Sequence, residues 1–367
     1  PAMALPTKSP APPATKKNAS GVGLTVEQVN ANNLSPFHEV AMNTSGKFES
    51  KLARSRSVET SLGGKAKRKI PSMIARIRSV GNQQKWWIDH KEIHIQDKAN
   101  PKLGDVSKVY EATWRSLKIA IKTVKHCTSP ESTNQLIEEI SLWSTIRHPN
   151  VVTFLGACSK EPMGLMLMLE DMPGGTLRDF LEDKKKKAKP LMRWKIASDV
   201  ARAMAFLHTC TPPIVHGDLN PDNVLFTAHG QAKVSDFGMG KCLGSRESKG
   251  MIRLKDARYL SPETIRNLNY SLESDVYAFG MILADLFQRF PPNNTPRSPK
   301  KSNDRVIEEA LAGVQPDISS VKCPFALTLI RLSICTDPSE RKSFPEISDA
   351  IESKLSSSAD SLKCTLI

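Results

Sequence analysis

Seven cysteines are scattered along the 367 residues without one Cys-x-x-Cys pair. That spacing excludes the usual zinc frameworks and redox dithiols and reads as free thiols in a reducing compartment. No apolar run approaches the length of a membrane span. The opening PAMALPTKSPAPPATKK lacks the apolar stretch of a secretory signal. It starts on Pro rather than Met, which leaves an upstream segment open. No internal repeat is visible. What remains is a chain with 39% hydrophobic residues, enough for a packed core. Its length suits a large two-lobed unit with a tail.

Positive charge is in excess but unevenly placed. Through Lys85 the chain carries nine Lys, five Arg and four Glu, a surplus of +10 out of a total of +14. The surplus therefore belongs to the first part of the chain and gives no ground for specific nucleic-acid binding by the rest. Residues 1–85 are rich in Pro, Ala, Lys and Ser and show no sustained periodicity, which predicts a disordered basic tail. One piece, KAKRKIPSMIARIRSV, places Ile70, Met73, Ile74 and Ile77 at helical spacing beyond Pro71. It is either a basic amphipathic helix for an anionic membrane or an acidic partner, or a solvated linker. Ser55 and Ser57, beside Arg54 and Arg56, are candidate phosphate acceptors.

Order is expected from Trp86. Strands are predicted around Ile93, over Lys108 to Trp114 and over Leu117 to Val124. A helix follows from Glu131 to about Ile146, with Leu136, Ile137, Ile140 and Trp143 on one stripe. Two further strands, VVTFLGA and GLMLMLE, precede the turn Pro173 to Gly175, and the rest is mostly helical. Lys184 to Lys187 read as a solvated charge run. Strands first and helices later indicate segregated lobes, an α+β arrangement.

The chemistry is concentrated in HGDLNPDNVLF and the VSDFG that follows. Asp218, Asn223 and Asp236 are three oxygen-bearing side chains in one short stretch. Such a set can hold a hard divalent cation and place an acceptor beside a hydroxyl. Single Asp or Asn residues in loops usually cap or turn the chain, but that does not account for an ordered set. His216 has no second His or Cys beside it and is not a metal ligand.

This stretch resembles the catalytic loop and D-F-G of protein kinases. IAIKTVK is similar to the family's lysine strand, YLSPE to its A-P-E, and ESDVYAFG and DPSERKSFPEI to later segments of its helical lobe. RHPNVVTFLGACS, GGTLRDFL and CTDPSERKSF point to the tyrosine-kinase-like branch. The resemblance covers about Trp86 to Lys354. It implies a bilobal fold, with a β-rich small lobe with one helix over about 86–171 and a mainly helical large lobe over about 172–356. A flexible tail, 357–367, follows.

The resemblance further implies ATP and Mg2+ as cofactors, a protein substrate and a cytoplasmic location, with attachment at the membrane surface left open. Lys122 would grip the α- and β-phosphates and Glu139 would steer it. Asn223 and Asp236 would hold magnesium, and Asp218 would orient the acceptor hydroxyl. Val109, Ala120 and Leu225 would sandwich adenine, and Glu170 and Met172 would bond its edge. Leu169 would guard the deeper pocket, and Gly104 belongs to the phosphate-covering loop. His216 would pack under Phe237, Asp275 would accept from the catalytic-loop backbone, and Arg341 would pair with Glu263.

Several positions depart from the pattern. With Val109 aligned, the three loop glycines read Lys102, Gly104 and Ser107; a two-residue deletion would instead make Gly104 the first. Gly217 replaces the arginine that meets an activation-loop phosphate, so activity should not depend on phosphorylation at Ser245 or Ser248. Asn220 stands at a lysine position, with an amide to offer a γ-phosphate. Asp256 stands where serine/threonine kinases carry a threonine. The leading reading is an ATP-dependent protein kinase, serine/threonine before tyrosine. The alternative is a pseudokinase scaffold, and a third reading gives the main function to the tail. Cys364 to Ile367 have the outline of a prenylation box but read as chance.

Overall fold

The computed structural model describes residues 63–95, 102–103, 107–124, 137, 140–160, 163–183, 189–236, 241–242, 256–267, 269–288 and 302–363. Within them an antiparallel sheet is built from β1 (Ile93–Ile95), β2 (Lys102–Leu103), β3 (Ser107–Trp114), β4 (Leu117–Val124), β5 (Phe154–Lys160) and β6 (Gly164–Glu170). The order is β1-β3-β4-β6-β5, with β2 alongside β3. Alternation along β4 decides what each face meets. Ile119 and Ile121 point to one side and pack with Ile88, Ile93, Met166 and Met168. Ala120 and Lys122 point to the other, where Val109 lies opposite Lys122 and Leu169 opposite Ala120.

The turn joining β3 to β4 puts Arg115 at φ 47° and Ser116 at φ 68°. Two successive left-handed residues suit the twist of a tight hairpin, although neither is glycine. Arg115 is held there by Glu92, whose Oε2 accepts its Nε–H at 2.7 Å, and by the Trp114 ring 5.2 Å from its guanidinium. Residues 140–145 are helical, and Ile140 and Trp143 are fully buried. The expected strand over Val151 to Ala157 starts three residues later. Val151 bridges to Val234 instead, and Val152 donates to the Val234 carbonyl at 2.9 Å, so this segment joins the two lobes.

Helix α1 (Gly63–Gln83) lies inside the stretch read as disordered tail, and that boundary is corrected. Ile77 is only 3% exposed and belongs to the same core cluster as Trp86. The Gly81 carbonyl accepts the N–H groups of Trp86 and Trp87, and a Cβ at Gly81 would lie 2.6 Å from the Trp86 ring. Composition hides this, because one isoleucine and one glycine supply the anchor. The folded unit therefore starts at Gly64. Residues 1–62 lie outside the described residues, as do Ser55, Ser57 and the Lys184 to Lys187 run.

The large lobe contains α2 (Leu177–Glu182), α3 (Pro190–Thr209), β7 (Ile214–Val215), β8 (Val224–Phe226), β9 (Ala232–Val234), β10 (Lys241–Cys242), α4 (Pro262–Asn267), α5 (Leu272–Phe287), α6 (Asn303–Leu311), α7 (Pro324–Ser333) and α8 (Phe344–Lys363). α5 is capped by the Ser271 hydroxyl and is buried from Ser274 through Phe287. A helix apolar on all sides belongs at the centre of a lobe, and α7 packs against it at Gly280. α8 continues to Lys363, so the expected flexible tail from 357 is helical over most of its length. Among the described residues no helix is long and apolar enough to cross a membrane.

Candidate active site

The inner face of the sheet carries Lys122 at 6% exposure. A buried ammonium needs an anionic partner. The Lys122 Nζ donates to Asp236 Oδ1 at 2.9 Å, and the Trp143 ring centroid lies 5.5 Å from the same nitrogen. Glu139, the partner expected from sequence, lies outside the described residues. Asp236 has φ 60°, a left-handed conformation that costs a non-glycine residue energy and is concentrated at functional sites.

The loop after β7 is built on Asp275 of α5. This buried carboxylate accepts the N–H of His216 at 2.8 Å and of Gly217 at 2.9 Å, and it contacts His208 Nε2 at 3.0 Å. Gly217 has φ 72°, where an L side chain is strained, which gives a backbone reason for glycine at this place. His216 Nδ1 accepts the Asp218 N–H at 3.2 Å, so its Nε2 donates to the Ser235 carbonyl at 2.9 Å. Phe237 lies outside the described residues.

Two amides hold Asp218. Asn220 Nδ2 donates to the Asp218 carbonyl at 2.9 Å and to Oδ1 at 3.0 Å; Asn223 Nδ2 donates to the same carbonyl at 2.7 Å and to Oδ2 at 3.1 Å. Asn220 Oδ1 accepts from the Asp222 N–H at 2.9 Å. Both ends of the Asn220 amide are thus used inside the loop, and the expected donation toward a γ-phosphate is corrected. The Asn223 carbonyl in turn accepts the Ser235 N–H at 2.9 Å and hydroxyl at 3.2 Å. Lys122–Asp236 and Ser235–Asn223–Asp218 are therefore two runs of contacts joined by the peptide link between Ser235 and Asp236.

Leu169 is 7% exposed beside Ala120, and β6 ends at Glu170. The Glu170 carboxylate accepts from the Thr153 N–H at 2.6 Å and from Lys233 Nζ at 2.6 and 2.9 Å. This fixes the crossing between lobes at its start. The Met172 carbonyl accepts the Gly175 N–H at 3.3 Å. Leu225, on β8, bridges to Thr176 and packs against the main core. Lys102 pairs with Val109 and Leu103 with Lys108 in antiparallel register. Gly104 lies outside the described residues.

The activation segment returns at Ala257–Tyr259. Arg341 closes the lobe beneath it, donating to Glu263 at 2.6 and 2.9 Å. A family model described as protein tyrosine and serine/threonine kinase matches residues 99–351. The chain belongs to that family. It is 29% identical over 75% of its length to the serine/threonine/tyrosine-protein kinase HT1 of Arabidopsis thaliana, covering 69% of that protein. It is 31% identical over 72% of its length to the dual specificity protein kinase pyk3 of Dictyostelium discoideum, covering 19% of it. It is 32% identical over 66% of its length to serine/threonine-protein kinase 12 of Arabidopsis thaliana, covering 53%. The chain spans 19% to 35% of the length of four Dictyostelium relatives.

Membership of this kinase family leaves several contacts that motif reading missed. Glu170 with Lys233, and Arg178 with Asp222 and Asp256, join segments far apart in sequence. No spacing rule connects them. Beside Asp218 a crevice of about 20 Å³, room for one water molecule, is lined by Gly217, Asn220, Asp256, Tyr259, Leu260 and Tyr270 among others. A wider groove of about 770 Å³, bordered by Arg331, Asp337 and Glu340, shares no residue with this site.

Proposed function

We propose that the chain transfers the γ-phosphoryl group of ATP to a protein hydroxyl, serine or threonine in the first place. The observation that supports it best is that the Lys122–Asp236 pair is joined, through the neighbouring Ser235, to the Asn223–Asp218 contacts. Lys122 is the cation for the α- and β-phosphates, steered by Glu139. Adenine lies between Val109, Ala120 and Leu225, with the main chain of Glu170 and Met172 at its edge and Leu169 behind it, and Gly104 turns over the phosphates.

The donor set fits magnesium. Asn223 commits its amide nitrogen to Asp218, which leaves its oxygen as the ligand, and Asp236 supplies a carboxylate that is 38% exposed. Two protein oxygens completed by phosphate and water are ordinary for this cation, although among the described residues no group of three or more His, Cys, Asp or Glu forms a metal cluster. When bound, Mg2+ neutralises charge on the phosphate oxygens. Asp218 orients the acceptor hydroxyl and receives its proton. The acceptor oxygen bonds to the γ-phosphorus, the bond to the bridging oxygen breaks, and ADP leaves with that electron pair.

Phosphorylation of a generic protein substrate by the wild type, beside Asp218→Asn, tests this reading, with magnesium-dependent nucleotide binding measured in parallel. Transfer by the wild type alone supports it. Nucleotide binding without transfer supports instead the pseudokinase reading, which the loss of loop glycines at Lys102 and Ser107 favours. We also propose a cytoplasmic location. Because Ile77 is buried while Arg76 and Arg78 are exposed, contact of α1 with an anionic membrane or an acidic partner would rest on charge. Salt-insensitive binding to anionic vesicles would sink that idea.

A further inference from the structure

Asp256 is the last residue before the turn Ala257–Tyr259, and it caps that turn by accepting the Arg258 N–H at 3.2 Å. Its carboxylate is divided between two arginines. Oδ1 accepts from Arg258 Nε at 2.7 Å, and Oδ2 accepts from Nη2 of both Arg258 and Arg178, the latter at 3.0 Å. Arg178 lies in the first turn of α2, just after the crossing between lobes. Its Nε donates to Asp222 Oδ2 at 3.1 Å. One planar guanidinium therefore joins the end of the activation segment to the catalytic loop, a task suited to the fixed fork of arginine.

The joined loop residue is not remote from the chemistry. Asp222 lies between Asn220 and Asn223, whose amides hold the Asp218 carboxylate, and its own N–H is bonded to Asn220. The ion pairs are shielded: the side chains of Arg178, Asp256 and Arg258 are 15%, 15% and 10% exposed. The two guanidiniums lie 5.7 and 5.4 Å from the Tyr259 ring centroid, and the Tyr259 hydroxyl donates to the buried Asp285. Burial opposes the charge on both arginines, but their acidic and phenolic neighbours outweigh it and raise both pKa values. These charges persist at any physiological pH.

We propose that Asp256 is a built-in anion of the activation segment, and that through Arg178 and Asp222 it positions Asp218 without a phosphate. The proposal rests on the kinase reading above and deepens it. Gly217 leaves the loop without the arginine that would otherwise answer to an activation-segment phosphate. The carboxylate of Asp256, held by Arg178 and Arg258, takes over that tie. Asp256, Arg178 and Asp222 are positioning residues, since none has to touch nucleotide or acceptor.

The test compares full-length wild type, Arg178→Met, Asp256→Thr, Asp256→Glu and the double variant Arg178→Met/Asp256→Thr. Steady-state kinetics and amide hydrogen exchange over residues 217–223 are both read. The expected result is a fall in kcat of about 10- to 100-fold in Arg178→Met and Asp256→Thr. The KM for ATP should stay near the wild-type value, exchange at 217–223 should be faster, and Asp256→Glu should recover much of the rate. The double variant should be no worse than either single one, because both break the same tie. Phosphatase treatment of the wild type should leave its rate unchanged. Wild-type exchange and kcat in both single variants would overturn the proposal, and so would a wild-type rate lost on phosphatase treatment. If the wild type transfers no phosphate, the kinase reading falls, and exchange at residues 217–223 alone decides the tie. If Arg178→Met does not fold, Asp256→Thr carries the comparison.

Discussion

Replacing Arg341 by methionine should cost the large lobe about 4 kcal/mol at pH 7. The Arg341 side chain is 0% exposed and makes four hydrogen bonds. Two go to the Glu263 carboxylate at 2.6 and 2.9 Å, one to the Glu273 carbonyl at 2.9 Å and one to the Cys335 carbonyl at 3.0 Å. The guanidinium also lies 5.1 Å from the Tyr277 ring centroid. Methionine fills similar volume but strands Glu263, which is 18% exposed, and removing one partner of such a pair costs about 3–5 kcal/mol. The pH dependence gives a second check. Burial pushes the Glu263 carboxyl up, but hydrogen bonds from Arg341 and Ser261 outweigh it and hold its pKa below the ordinary 4.5. A depressed carboxyl adds stability above its unfolded pKa and loses it as the pH falls. In the variant the Arg341 contribution is lost while burial remains, so that pKa should rise, and the gap between the two proteins should narrow from pH 7 toward pH 4. Urea unfolding followed by tryptophan fluorescence measures both effects. Arg341→Met with Glu263→Gln should recover about half of the loss, since no charge is then stranded. A cost below about 1 kcal/mol, or a gap that does not change with pH, would refute the reasoning.

Burial raises the Asp285 carboxyl to about 6, against the lowering effect of the Tyr259 hydroxyl that donates to it. A raised pKa makes stability greatest below about pH 4 and loses it as the pH climbs through 6. Asp285→Asn should remove that slope, worth about 3 kcal/mol across the range; a variant as pH-dependent as the wild type in urea titrations would contradict this. Gly280→Ala should cost about 1–3 kcal/mol in the same assay, because its Cβ would lie 2.7 Å from the side chains of Ile334 and Ser333. Lys122→Met should reduce phosphate transfer by at least about 100-fold, and retention of the wild-type rate would remove this lysine from the proposed mechanism.

Much of the fold was legible because its signals are local. Alternation along Leu117–Val124 and the apolar run of Gly164–Glu170 follow directly from strand periodicity, and the Pro173 to Gly175 turn marks where helices begin. The tail boundary was not legible. α1 is fixed by Ile77 in the core and by the room Gly81 leaves for Trp86, and neither contact leaves a pattern in composition. Among the site residues, the order of Lys122, Asp218, Asn223 and Asp236 was visible. The occupation of Asn220 was not, because an asparagine at a lysine position does not reveal that its amide has folded back onto Asp218.

Partner choice among charges was the least legible feature, and its outcome bears on how the site works. Asp218, Asp222, Asp236 and Asp256 come from one stretch of chain, and sequence alone gives no reason for them to be treated differently. The structure gives them different partners. Asp222 and Asp256 are tied to Arg178, whose fork and permanent charge make a lasting join. Asp236 meets Lys122, a compact charge that a nucleotide's phosphates can share. Asp218 receives neutral amide hydrogens from Asn220 and Asn223, which direct its carboxylate. The two acids tied to Arg178 thus hold the loop that carries Asp218, the acid proposed to act on the acceptor.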